Sequence, residues 1–139
     1  KKEQVIELAC NLDDMTPEEL SFAMEELFRL GALDVYFTNI GMKKSRPGVI
    51  LTCMCRADKR DKMLSCIFKN TTTLGVREYT CDRYSLTRSI ETVQTKYGPV
   101  RVKTAEGYGA KRSKAEYDDL ERLARENDTT PAEIRKLIK

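Results

Sequence analysis

Over residues 1–85, strand-period and helix-period segments follow one another in the order βαββαβ, which predicts an α+β sandwich: two helices on one face of a four-stranded antiparallel sheet. Three observations carry this expectation. Ile6, Leu8, Cys10 and Leu12 alternate as one face of a strand. Thr16, Pro17 and Glu19 form a capping box with proline at the first helical position, opening a stripe of Leu20, Ala23, Met24, Leu27 and Phe28 at spacings of three and four. A second stripe of Leu64, Ile67 and Phe68 then sits between further strand-like runs.

The elements follow in order. Gly31 ends the first helix, and Leu33, Val35 and Phe37 begin a second strand. Residues 42–48, MKKSRPG, form a basic loop before a third strand over 49–55, rich in β-branched and apolar residues. Asp58 is the expected N-cap of the second helix, and a fourth strand is expected from about Val76 to Tyr84. This is the arrangement of a ferredoxin-like core over residues 1–85. Beyond it, residues 91–95 and 100–104 flank Gly98 and Pro99 as a β-hairpin, and the glycine-rich, basic segment 105–112 reads as a loop. Capping boxes at Ser113/Glu116 and Thr130/Glu133 open two short helices, with Tyr117 first in the apolar stripe of the earlier one. Residues 86–139 are therefore expected to be a hairpin with a helical appendage, part of the same compact unit.

Composition restricts the chemistry. The chain has 139 residues, enough for a real core, and no apolar run of membrane-spanning length or signal-peptide pattern; the expectation is a soluble, cytoplasmic protein. The five cysteines are odd in number and lie mostly at apolar positions, as small hydrophobes in a reducing compartment do. Histidine is absent, which removes the usual neutral-pH base, the imidazole ligand and every Ser/His or Cys/His pair. Any chemistry runs on carboxylates, lysine and arginine, tyrosine, cysteine or a metal. The net charge is only +3, but the cations are clustered.

Three segments bear chemistry. Asp13 and Asp14 fall just before the first helix, where a loop can present them to a hard cation. Lys43, Lys44, Ser45 and Arg46 place point charges and a guanidinium fork in one short connection, a mixture suited to polyphosphate. Thr71, Thr72 and Thr73, followed by Gly75 and Arg77, offer hydroxyls and backbone amides beside a cation. Read blandly, these are a solvated cap, a charged hairpin loop and a helix terminator. Cys53 and Cys55 share a strand face and could ligate a soft metal, but the same alternation is that of a buried strand, and a core role is expected.

The phrases NLDDMTPEEL, GALDVYFTNIGMKKSRPGVILT, TTTLGVR, ETVQTKYGPVRVK and KAEYDDLERLA occur in this order. Together they resemble the C-terminal domain of the LarC-type nickel-insertion family of nickel-pincer cofactor assembly, over almost the whole chain. The resemblance implies a domain, excised from a longer protein with its own N-terminal region, that binds CTP with Mg²⁺ or Mn²⁺. It further implies that the full-length protein is a CTP-hydrolysing nickel insertase of the lyase or chelatase class. Such an enzyme places nickel in pyridinium-3,5-bisthiocarboxylic acid mononucleotide to give the cofactor of lactate racemase. On this reading Asp13 and Asp14 hold the metal and, with Lys43, are catalytic; Lys43, Lys44, Arg46, Thr71, Thr72, Thr73, Arg77 and Lys111 bind the nucleotide. Arg112 and Tyr117 are weaker candidates, Tyr117 being expected to pack. The family commonly carries larger aliphatic residues at the Cys53 and Cys55 positions, so the resemblance gives no support for nickel thiolates.

Two other classes of function compete with this one. An RNA-binding sheet module needs paired face aromatics in a Lys/Arg-Gly-Phe type motif, which the sequence lacks; neither nucleic-acid nor membrane binding is expected. A non-catalytic module for ligand sensing or oligomerisation is the alternative, because one fold serves many functions. Edge strands and narrow helical stripes lead to the expectation of a homo-oligomer.

Overall fold

The computed structural model describes residues 1–138, and these divide into two compact units: Lys2–Arg83, and Lys1 together with the residues from Tyr84 onward. The division falls at Arg83/Tyr84, two residues before the expected boundary at 85/86, and each unit has its own buried cluster.

In the larger unit the order is β1 (Lys2–Leu12), α1 (Pro17–Arg29), β2 (Asp34–Met42), β3 (Arg46–Cys55), α2 (Arg60–Asn70) and β4 (Arg77–Tyr84). The sheet runs β2-β3-β1-β4, with β3 antiparallel to both β1 and β2, which is the ferredoxin-like arrangement. Ile6, Leu8, Cys10 and Leu12 meet Leu20 and Leu27 of α1 and Met63, Cys66 and Ile67 of α2 in one buried cluster. The helical stripes are rotated from expectation: Phe28 and Phe68 are about half exposed, whereas Met63 and Cys66 are buried. Asp58 is not an N-cap. It lies in a short 3-10 turn, Ala57–Lys59, and α2 starts after Lys59 without a side-chain cap.

The start of α1 is as the sequence indicates. Glu19 N–H donates to Thr16 Oγ1 at 3.2 Å and Thr16 N–H to Glu19 Oε1 at 2.9 Å, closing the capping box. Gly31, at φ +102°, ends the helix: its N–H donates to the Phe28 carbonyl and that of Ala32 to Leu27, a Schellman closure that favours glycine. Gly48 is fixed for another reason. A Cβ there would stand 2.8 Å from the Leu12 carbonyl oxygen, so a side chain would push β3 from β1 just where the chain leaves the sheet.

The smaller unit differs most from expectation. Its sheet has three strands, β5 (Thr87–Thr95), β6 (Gly98–Gly107) and β7 (Ala110–Ala115), in that order. Segment 105–112 is thus not a loop but the last three residues of β6, a tight turn and the start of β7. Ser113 does not cap a helix either; it lies in β7, in register with Thr104, and the two hydroxyls are 3.2 Å apart. Helix α3 (Tyr117–Glu126) begins after Glu116 with no side-chain cap, and α4 (Pro131–Arg135) begins after Thr130, whose hydroxyl accepts from Glu133 N–H as expected. Leu120, Leu123, Ala124 and Ile134 cover Val100 and Ala115. Tyr117, expected to pack, is about half exposed.

Candidate functional site

The ferredoxin-like order brings the end of β1, the β2–β3 turn and the start of β4 to one end of the sheet, because β3 and β4 flank β1 and both begin where β1 finishes. The three chemistry-bearing segments of the larger unit therefore meet there.

Asp13 Oδ2 lies 3.9 Å from Arg46 Nη1, an ion pair between the loop after β1 and the first residue of β3. Asp14 Oδ1 accepts a hydrogen bond from Thr72 Oγ1, joining the same loop to the segment after α2. Arg77 Nη2 donates to Asn11 Oδ1 at 3.0 Å, and its Nε to Tyr79 Oη at 3.2 Å. Three cross-connections thus link four segments. Asn11, Asp13, Asp14, Arg46, Thr72 and Arg77 are all exposed to solvent.

The three threonines divide their labour. Thr71 Oγ1 donates to the Ile67 carbonyl at 2.8 Å and accepts from Thr73 N–H, and Thr73 Oγ1 donates to the Gly75 carbonyl. Both hydroxyls therefore shape the turn after α2. Thr72 alone reaches across to a carboxylate. Lys43 and Lys44 are exposed on the 3-10 turn between β2 and β3, without an ion-pair partner among the described residues. Lys44 and Ser45 have φ of +60° and +59°, a left-handed backbone that non-glycine residues adopt at a cost of about 1–3 kcal/mol each. A depression of about 310 Å³ adjoins this end, with Asp13, Phe37, Asn39 and Pro47 among its walls. That is at the small end of ligand-pocket sizes. A wider groove of about 620 Å³ runs along α1 and α2, but it mixes Phe22 with the Glu26/Arg29 ion pair and gathers none of these groups.

A hard divalent ion fits the donors present. Asp13 and Asp14 supply carboxylate oxygens, and no group of three or more Cys, Asp or Glu suited to a metal occurs among the described residues. A two-carboxylate set suits Mg²⁺ or Mn²⁺ that takes its other ligands from phosphates and water, not an ion caged by protein. The cysteines give no second centre. Cys53 and Cys55 are fully buried, and desolvation pushes the Cys53 thiol up to about 12, so it stays protonated. Cys10, beside Thr73 and Arg77, is also buried and shifted upward by desolvation.

Lys111 belongs to the smaller unit, on β7, in register with Glu106. Sequence reasoning missed Asn11 and Tyr79 as partners of Arg77. Asn11 stood inside the NLDDM phrase, but only the pairing of β1 with β4 reveals its neighbour. Arg101 and Asp119 were also missed: in the smaller unit Asp119 accepts from the Arg101 backbone N–H at 2.8 Å and from its guanidinium at 2.9 and 3.0 Å.

The ferredoxin-like sheet thus gathers two aspartates, a threonine and several cations at one end. A family model described as nickel insertion protein matches residues 1–135, and the chain belongs to that family. It is 41% identical over 124 residues to the pyridinium-3,5-bisthiocarboxylic acid mononucleotide nickel insertion protein of Acetivibrio thermocellus, covering 89% of this chain and 30% of that protein. It is 44% identical over 119 residues to the protein of the same name from Alkaliphilus metalliredigens, covering 86% and 28%. The chain thus spans about a third of the length of these curated relatives. Among solved structures it resembles the C-terminal domain of a cyclometallase involved in the synthesis of the NPN cofactor of lactate racemase, in apo form. There the TM-score is 0.81 and the identity 36%, over 99% of this chain and 95% of that one. No helix among the described residues is long and apolar enough to cross a membrane.

Proposed function

We propose that this chain is the nucleotide-binding part of a nickel insertase: it binds CTP with Mg²⁺ or Mn²⁺ and supports insertion of nickel into pyridinium-3,5-bisthiocarboxylic acid mononucleotide. The observation that carries this reading is the meeting of Asp13 with Arg46, Asp14 with Thr72 and Asn11 with Arg77 at one end of the sheet. The names of the relatives add the nickel and the pyridinium mononucleotide, which are that protein's cargo and substrate.

The roles follow from charge and donor type. Asp13 and Asp14 would hold the divalent ion, which when bound offsets phosphate charge and polarises the phosphoryl oxygens. Binding would cost Asp13 and Asp14 their present partners, so Arg46 and Thr72 are released toward the phosphates. Lys43 and Lys44, exposed on the turn, supply charge to the triphosphate, and Lys43 is the group assigned to stabilise charge at the reacting phosphate. Arg77 lies at hydrogen-bonding reach of both Asn11 and Tyr79 and would orient them with the ligand. Thr71 and Thr73 act by shaping the turn that presents Thr72. Lys111 is retained as a candidate nucleotide contact. The protein would act in the cytoplasm as a homo-oligomer and together with the N-terminal region of the longer relatives.

Titration calorimetry with CTP, ATP, GTP and UTP, each with and without Mn²⁺, tests this. The expected result is binding that prefers CTP, requires the metal, and falls at least tenfold in Asp14→Ala and in Asp13→Ala. Retention of metal-dependent CTP binding in both variants would remove them from the metal site. Absence of binding to any nucleotide would favour the ligand-sensing or oligomerisation module instead.

A further inference from the structure

The three-stranded sheet of the smaller unit has two faces of opposite character. Val93, Val100, Val102 and Ala115 lie on one, and the α3 and α4 side chains cover Val100 and Ala115 there. The register puts Arg88, Ala105 and Arg112 side by side in one row of the other face, and Ile90, Lys103 and Lys114 in the next. No carboxylate belongs to either row. Lys103 is tied to Glu116 at 2.9 Å, but Arg88, Arg112 and Lys114 have no ion-pair partner among the described residues. Directly opposed residues of neighbouring strands share a face, so these groups converge although they are distant in sequence.

The middle of the first row is an alanine. A small residue on the central strand between two arginines leaves a slot, and a depression of about 480 Å³ lies here, with Ile90 exposed at its side. That volume suits a ligand the size of a mononucleotide. Arg88 and Arg112 are rooted on strands two spacings apart, about 10 Å, so their planar forks can grip one phosphate over Ala105 from both sides. Ile90 offers an apolar surface for a ring, and Lys114 adds a second cation beside it.

We infer that this face is a second anion site, taking the phosphate of a mononucleotide between Arg88 and Arg112. It is distinct from the sheet-end cluster of the larger unit. The choice of a pyridinium mononucleotide as ligand class rests on the functional reading above; the phosphate clamp itself rests on the two rows of residues.

The test is titration of the whole chain with nicotinic acid mononucleotide, with the corresponding nucleoside, and with a single-stranded oligonucleotide at low and physiological salt. Saturable binding of the mononucleotide but not the nucleoside is expected. It should weaken at least tenfold in Arg88→Ala and in Arg112→Ala, and also in Ala105→Leu, which fills the slot. Equal binding in both arginine variants, equal binding of the nucleoside, no binding of the mononucleotide, or binding only of the oligonucleotide with a steep salt dependence would overturn the inference. Metal-dependent CTP titration of the same samples reports separately on the sheet-end cluster. Its failure while mononucleotide binding persists would count against the nucleotide reading alone.

Discussion

The buried carboxylate of Asp119 shows how one residue can terminate an element and set a pH dependence. Strand β7 ends in register with Val102, so the N–H of Arg101, the residue before it on β6, has no partner on the β7 side. Asp119, in the first turn of α3, accepts from it and from the same residue's guanidinium. These bonds, those of the Arg101 side chain first, hold the Asp119 carboxyl at about 2, against about 3.9 in an unfolded chain. A folded value below the unfolded one means the contribution is fully present above about pH 4 and lost as pH falls toward 2. Asp119→Asn should therefore lower unfolding free energy by about 1–2 kcal/mol at neutral pH, leaving Arg101 with a weaker partner. Urea denaturation at pH 7 and pH 3 checks this. The gap between wild type and variant should narrow at the lower pH, and a gap that stays constant would mean the carboxylate charge is not what stabilises.

At the scale of elements, the β2–β3 turn stands out for keeping lysine and serine where glycine would be easier. Lys44 and Ser45 both adopt left-handed backbone, and among the described residues neither has a side-chain bond that holds it there. Lys44→Gly should raise unfolding free energy by up to about 1 kcal/mol, the relief of strain being partly offset by greater freedom of the unfolded chain. The same variant should weaken metal-dependent CTP binding several-fold by removing an exposed charge. Thermal melts and calorimetry on one preparation read both, and a loss of stability would show that the turn is not strained. This turn was legible in MKKSRPG as a basic connection, and Thr16, Pro17 and Glu19 fixed the start of α1, because local chemistry decides both. Strand β7 was not legible: Gly107 and the two-residue turn Tyr108-Gly109 read as loop, while KRSK shows no apolar alternation because its outward face is cationic. Ser113 and Glu116 carry the spacing of a capping box, yet cross-strand pairing with Thr104 takes Ser113 into the sheet. The rotation of the α2 stripe onto Met63 and Cys66 likewise depends on which strands lie beneath it, which the helix sequence alone does not state.

For the whole molecule, the decisive fact is that long-range topology, not sequence proximity, assembles the candidate site. Asp13 meets Arg46 across 33 positions of chain, and Asn11 meets Arg77 across 66. Sequence could nominate these residues because each segment has its own chemistry, but only the β2-β3-β1-β4 order brings them to one end. Every one of these residues lies in the Lys2–Arg83 unit, which has its own buried cluster of thirteen residues. A fragment of residues 1–86, ending past β4, should therefore fold by itself, as a single core with complete sheet pairing does. It should also keep the metal-dependent CTP preference of the full chain within about threefold, a difference under 1 kcal/mol. Circular dichroism and a cooperative urea transition would establish the fold before calorimetry is run. If the folded fragment lost CTP binding by tenfold or more, residues beyond 86, with Lys111 the first to replace, would belong to the nucleotide site. If binding persisted, Lys111 would be released from that role, and the smaller unit would be left with the separate anion-binding face centred on Arg88 and Arg112.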